Sequence, residues 1–70
     1  MDGEIGEAAG RIWRHLEQHG AATLRHLQQQ TALPERLLLM GIGWLAREGQ
    51  LIFLPERRGL KISLKARSEP

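Results

Sequence analysis

The sequence predicts an α+β fold that is mainly α, with three helices followed by a small β-hairpin. Three observations carry that prediction. Residues 34–48 read as a helix with a hard start at Pro34 and a hard stop at Gly49. Proline is tolerated at a first helical position, where its missing N–H would be unpaired anyway. Glycine takes the left-handed conformation that ends a helix at least cost. Ahead of this segment, 4–19 and 23–30 repeat apolar residues at helical spacing. Behind it, two short apolar runs joined by a glycine-containing loop predict a hairpin over 51–65.

In the first helix, Ile5, Ala8, Ala9, Ile12, Leu16 and His19 fall on one face, with Trp13 on its flank, and Gly20 ends it. Gly6 and Gly10 are unusual inside a helix. They mark a frayed first turn, or leave room for the Trp13 ring, or form a surface where another helix approaches closely. Ala21–Ala22 reads as a short extended link. Thr23 offers an N-cap hydroxyl to the second helix, with Leu24 and Leu27 inward and Gln28, Gln29 and Gln30 in solvent. Thr31-Ala32-Leu33 forms the turn, and Leu33 is its core anchor. In the third helix, Leu38, Gly41, Ile42 and Leu45 define the buried face, and Gly41 lets the first helix come close. Leu51 to Leu54 is the first strand of the hairpin, and Pro55 ends it by removing a ladder donor. Glu56-Arg57-Arg58-Gly59 turns the chain. Leu60, Ile62 and Leu64 then alternate with Lys61, Ser63 and Lys65, as in a half-buried strand. Residues 66–70 are expected to form a loose tail.

With 70 residues, the chain is one small domain that depends on apolar packing, because it has no cysteine for a disulfide or a thiolate metal site. Its start is acidic where a signal peptide would be basic, and no apolar run approaches the roughly 20 residues of a membrane helix. A cytoplasmic protein with no membrane contact is expected. The net charge is only +2, but it is unevenly spread. Asp2, Glu4 and Glu7 open the chain, whereas Arg57, Arg58, Lys61, Lys65 and Arg67 outnumber Glu56 and Glu69 at its end.

Helix, helix, turn, helix and hairpin, in that order, make a three-helix winged helix-turn-helix. The spacing Thr23…Leu27…Thr31-Ala32-Leu33, then Leu38…Ile42…Leu45…Gly49-x-Leu51, resembles that domain over nearly the whole chain. Ile12-Trp13, the run Gly43-Trp44-Leu45-Ala46-Arg47-Glu48 and the closing basic hairpin resemble, more narrowly, a short stand-alone bacterial winged-helix family of unknown function. The resemblance implies the fold and a bacterial origin, and it brings no catalytic residues.

A DNA-binding winged helix reads base edges with the outer face of its third helix. Here that face carries Arg36, Met40, Gly43 and Arg47, with Leu37 and Trp44 on one flank and Leu39 and Ala46 on the other. It offers few cations to phosphates. Large apolar and arginine side chains favour protein contact instead. Arg36, Leu39, Met40, Gly43, Trp44 and Arg47 are therefore candidates for a protein interface, either a homodimer or another partner. Gly43 faces outward, so a close partner backbone would account for it; the competing reading leaves Gly43 without a role and folds Trp44 back onto the wing. A small DNA-binding transcriptional regulator is the alternative, with Arg36, Arg47, Arg57, Arg58 and Lys61 as its nucleic-acid candidates. Against it, a charged hairpin tip is commonly just solvated, and its charge protects an edge strand from aggregation.

No catalytic motif, phosphate loop or paired carboxylates appear, and no enzyme, cofactor or small-molecule substrate is expected. His15 and His19 lie four apart on one helix, a metal-compatible spacing. No acidic or cysteine ligand joins them and His26 sits on another helix, so no metal site is expected. His19 is expected to be partly buried at its helix end, favoured there by the dipole.

Overall fold

The computed structural model describes residues 2–65, apart from the side chain of Asp2. The tail expected at 66–70 lies outside the described residues. The elements are α1 (Asp2–His19), β1 (Ala22–Thr23), α2 (Leu24–Thr31), α3 (Glu35–Arg47), β2 (Leu51–Glu56) and β3 (Gly59–Leu64).

The core lies where α1 crosses α3 and where both meet the sheet. Ile12, Leu27, Leu38 and Ile62 are its largest fully buried side chains, supported by Ala8, Ala9, Leu16, Leu33, Ile42 and Leu45. Trp13, Leu24, Leu37, Leu51 and Leu64 pack around them, partly buried. Gly41 sits at the crossing. A Cβ there would lie 2.9 Å from Ile12 Cδ1, 3.1 Å from the Ala9 nitrogen and 3.2 Å from the Ala8 carbonyl carbon. The two helix backbones approach closely because this position has no side chain.

Each helix end has a local cause. The Thr23 hydroxyl accepts the His26 N–H at 3.1 Å and caps α2. Gly20 (φ +84°) ends α1. At the end of α3, Gln50 N–H donates to Leu45 C=O and Gly49 N–H to Ala46 C=O, with Gly49 at φ +72°. That double closure is a Schellman motif, which turns the chain directly into β2.

Several sequence expectations need correction. Pro34 caps α3 from outside, and the helix begins at Glu35; the Pro34 carbonyl accepts the Leu38 N–H. Thr31 belongs to α2 and is buried. Its hydroxyl donates to Leu27 C=O at 2.7 Å, so its polarity is satisfied inside the helix. Ala32 follows in the left-handed region at φ +57°. Gly6 and Gly10 are exposed with nothing within 4 Å of an added Cβ, so Trp13 does not need their space. The extended link expected at Ala21–Ala22 gives way to a strand at Ala22–Thr23: Ala22 pairs with Ile62 and Thr23 with Lys61, giving a three-stranded antiparallel sheet in the order β1-β3-β2.

Pro55 does not end β2, which runs on to Glu56. Lys65 N–H donates to Gln50 C=O, and every β2–β3 pair keeps the same register, from Leu51 opposite Leu64 to Glu56 opposite Gly59. Hydrogen-bonded pairs alternate along an antiparallel ladder. Ile52, Leu54 and Glu56 therefore bond to β3, while Leu51, Phe53 and Pro55 turn their backbone groups to the open edge. The missing proline N–H falls on that edge, where no ladder bond is lost.

Candidate functional site

The third helix separates its side chains cleanly between two faces. Leu38, Gly41, Ile42 and Leu45 are buried, as their spacing requires. Arg36, Leu39, Met40, Gly43, Trp44 and Arg47 are all exposed. They fall together because residues three and four apart lie on one helix face. Arg36, Met40, Gly43 and Arg47 are spaced four, three and four, the spacing of a seam along which a second helix packs. Leu39 and Trp44 flank the seam.

Three large apolar side chains on this face, Leu39, Met40 and Trp44, are between 39 and 48 % exposed. Trp44 does not fold back into the core, whereas its flank neighbour Leu37 does pack there. Gly43 has nothing within 4 Å of an added Cβ, so no contact inside the domain requires glycine at this position. Beside Met40, a hollow of about 300 Å³ opens between the start of α1 and α3, lined by Glu4, Arg36, Leu37 and Met40. A partner side chain can enter it from the apolar face.

In the wing, Arg57 and Arg58 are exposed at the hairpin tip, and Lys61 Nζ lies 3.7 Å from a Glu56 carboxylate oxygen. The pair is solvent-exposed, and such pairs are weak. Arg36 and Arg47 sit at opposite ends of the α3 stripe, with Met40 and Gly43 between them.

Residues 1–65 match the family described as winged helix-turn-helix domain (DUF2582). The chain belongs to this family. It is 35% identical over 68 residues to the uncharacterized protein MJ1608 of Methanocaldococcus jannaschii, a match that covers 93% of this chain and 96% of the relative. The solution NMR structure of protein BT2368 from Bacteroides thetaiotaomicron is similar in fold, with a TM-score of 0.82 and 25% identity, over 91% of this chain and 79% of that one. The winged helix expected from element order is thus the fold of this DUF2582 member, and its outer α3 face is the surface where winged helices that read DNA place their base contacts.

Two further features escaped sequence reasoning. The β2 residues Ile52, Phe53 and Leu54 are exposed. A half-buried antiparallel strand alternates and this one does not, which marks apolar groups on both faces of β2 without saying what covers them. The histidines also come together across two helices. The His15 ring centroid lies 4.6 Å from that of His19 and 5.4 Å from that of His26. His19 itself is exposed, so the partly buried position expected for it is corrected: its backbone is the last residue of α1, beyond the core. His15 Nε2 is buried without a hydrogen-bond partner among the described residues. Burial lowers the His15 pKa from its ordinary value, and the neighbouring His19 and His26 lower it further. Among the described residues, no group of three His, Cys, Asp or Glu is placed to hold a metal ion. No described helix is long and apolar enough to cross a membrane.

Proposed function

We propose that this domain is a non-catalytic protein-binding module whose contact surface is the outer face of α3. The observation that carries this reading is the combination on one face of exposed Leu39, Met40 and Trp44 with a glycine, Gly43, that nothing inside the domain requires. Apolar and aromatic side chains exclude water at an interface, and arginine at its margin adds directional hydrogen bonds. Gly43 lets a partner backbone approach the helix axis. The partner that fits is an amphipathic helix with carboxylates toward its ends, set to meet Arg36 and Arg47. A second copy fits this face less well. In a two-fold antiparallel crossing centred on the seam, Arg36 of each copy would oppose Arg47 of the other, and like charges so placed are unfavourable.

The test is site-specific photo-crosslinking in cells, with the photoreactive residue at Met40 and a control at exposed Gln29 on α2. A protein adduct at position 40 that is absent at 29 is the expected result. DNA binding is the competing outcome: adducts to nucleic acid, or salt-sensitive amide shifts at Arg36, Arg47, Arg57, Arg58 and Lys61 on titration with duplex, would replace the protein reading.

A further inference from the structure

Among the described residues, no backbone hydrogen bond reaches the outer edge of β2. The other sheet edge, β1, is only two residues long and offers little to pair with. β2 is six residues long, and its run Leu51-Ile52-Phe53-Leu54 carries no charge. Protein edges of this kind are ordinarily blunted by lysine, by shortness or by a covering element. Here Ile52, Phe53 and Leu54 are instead 37 to 41 % exposed.

The register gives the two faces of this edge. Phe53 stands opposite buried Ile62, so Leu51, Phe53 and Pro55 lie on the helix-covered side of the sheet. Ile52 and Leu54 stand opposite Ser63 and Lys61 on the outer side. An occupant of this edge must therefore be apolar on both faces and must meet backbone donors and acceptors at Leu51 and Phe53.

We propose that the occupant is a second copy of the same strand, joined antiparallel about a two-fold axis at Phe53. In that arrangement each Phe53 N–H donates to the Phe53 C=O of the other copy. Each Leu51 N–H donates to the Pro55 C=O of the other copy. The bond that is missing is the one Pro55 has no hydrogen to make. Phe53 meets Phe53 on the helix side, and Ile52 meets Leu54 on the outer side, so apolar groups face apolar groups on both faces. Glu56, the only charged residue of β2, falls opposite neutral Gln50. Beyond the strand, Arg57 and Arg58 of one copy run toward Glu48 and the carbonyl end of α3 in the other; Arg47, in that same last turn, is turned to the outer α3 face. No like charges are opposed along the strand. The pairing is isologous and closes after two copies, because it consumes the open β2 edge of each. It leaves the outer face of α3 uncovered, so the dimer presents that face twice. This inference does not depend on what α3 binds.

The test combines sedimentation equilibrium with amide hydrogen exchange on the full chain. A mass twice that of the chain is expected, with exchange at Leu51 and Phe53 slowing as protein concentration rises. Exchange at Ile52 and Leu54, already bonded to β3, should not change. The double variant Ile52→Lys, Leu54→Lys places charge on the outer side, away from the core, and should weaken association by at least about tenfold while circular dichroism stays native. A monomer at every concentration overturns the proposal. So does a dimer that Met40→Glu dissolves and the double lysine variant does not, or one whose Leu51 and Phe53 amides stay unprotected. If the lysine variant does not fold, the exchange pattern of the unaltered chain still decides.

Discussion

Gly41 and Gly43 lie two residues apart on one helix, and they do opposite things. At Gly41 the missing side chain is filled by the Ile12 side chain and the backbone of α1, so the position is determined from inside the domain. At Gly43 the missing side chain opens onto empty space, and helix propensity alone would replace it. The same division runs along the whole of α3. Its inner face is buried apolar packing, with each residue held by its neighbours. Its outer face carries comparable apolar groups, Leu39, Met40 and Trp44, that remain 39 to 48 % exposed. A packing requirement inside the fold explains the first set, and the proposed partner contact would account for the second.

The largest expected effect that tests this contrast is at the inner glycine. Gly41→Ala should destabilise the domain by about 1–3 kcal/mol, because α1 must move away from α3. Urea unfolding followed by circular dichroism measures it. Gly43→Ala should do the reverse, stabilising by roughly 0.5–1 kcal/mol through helix propensity. A loss of stability there would mean that Gly43 serves the fold after all. Met40→Glu changes an exposed position and should alter stability by no more than about 0.5 kcal/mol, while under the proposed reading it should abolish the protein adduct. Stability and binding would then separate between the two faces.

Among the described residues, the buried side-chain atom left without a hydrogen-bond partner is His15 Nε2, and it gives a pH dependence. His15 has its Nε2 buried and unpartnered, and its pKa is lowered in the folded state. Below an unfolded value of about 6.5 the unfolded chain binds the proton more readily than the folded one. Stability is therefore expected to be full above that value and to fall as the pH drops through it toward the lowered folded pKa. Unfolding at pH 7.5 and at pH 5.5 should show this loss, and His15→Gln should reduce it. An equal loss in the variant would assign the pH dependence to other groups.

Much of this contrast was legible in the sequence, because helical periodicity is strong over 13 residues of α3. Leu38, Gly41, Ile42 and Leu45 declared the inner face, and Gly43 stood out for having no place in it. The capping signals at Thr23 and Gly49 placed the helix ends. What stayed hidden needed a third dimension. A strand of two residues, Ala22–Thr23, has no period to read, and its only evidence is pairing with β3. Pro55 reads as a strand end until the register shows that its nitrogen faces the open edge. His26 reaches His15 because of the angle between α1 and α2, which no local pattern encodes. The exposure of Ile52, Phe53 and Leu54 depends on what lies beside β2, and an apolar run alone does not say whether the chain itself covers it.

The most direct test of the central claim is the photo-crosslinking yield from position 40 with Gly43 intact and with Gly43→Leu. Nothing lies within 4 Å of a Cβ placed at this exposed position, so the substitution adds its bulk on the outer side of the helix. The expected result is a variant at least as stable as the unaltered domain that has nonetheless lost its protein adduct. An equally stable variant with an unchanged adduct yield would contradict it, because the outer glycine would then have no part in binding.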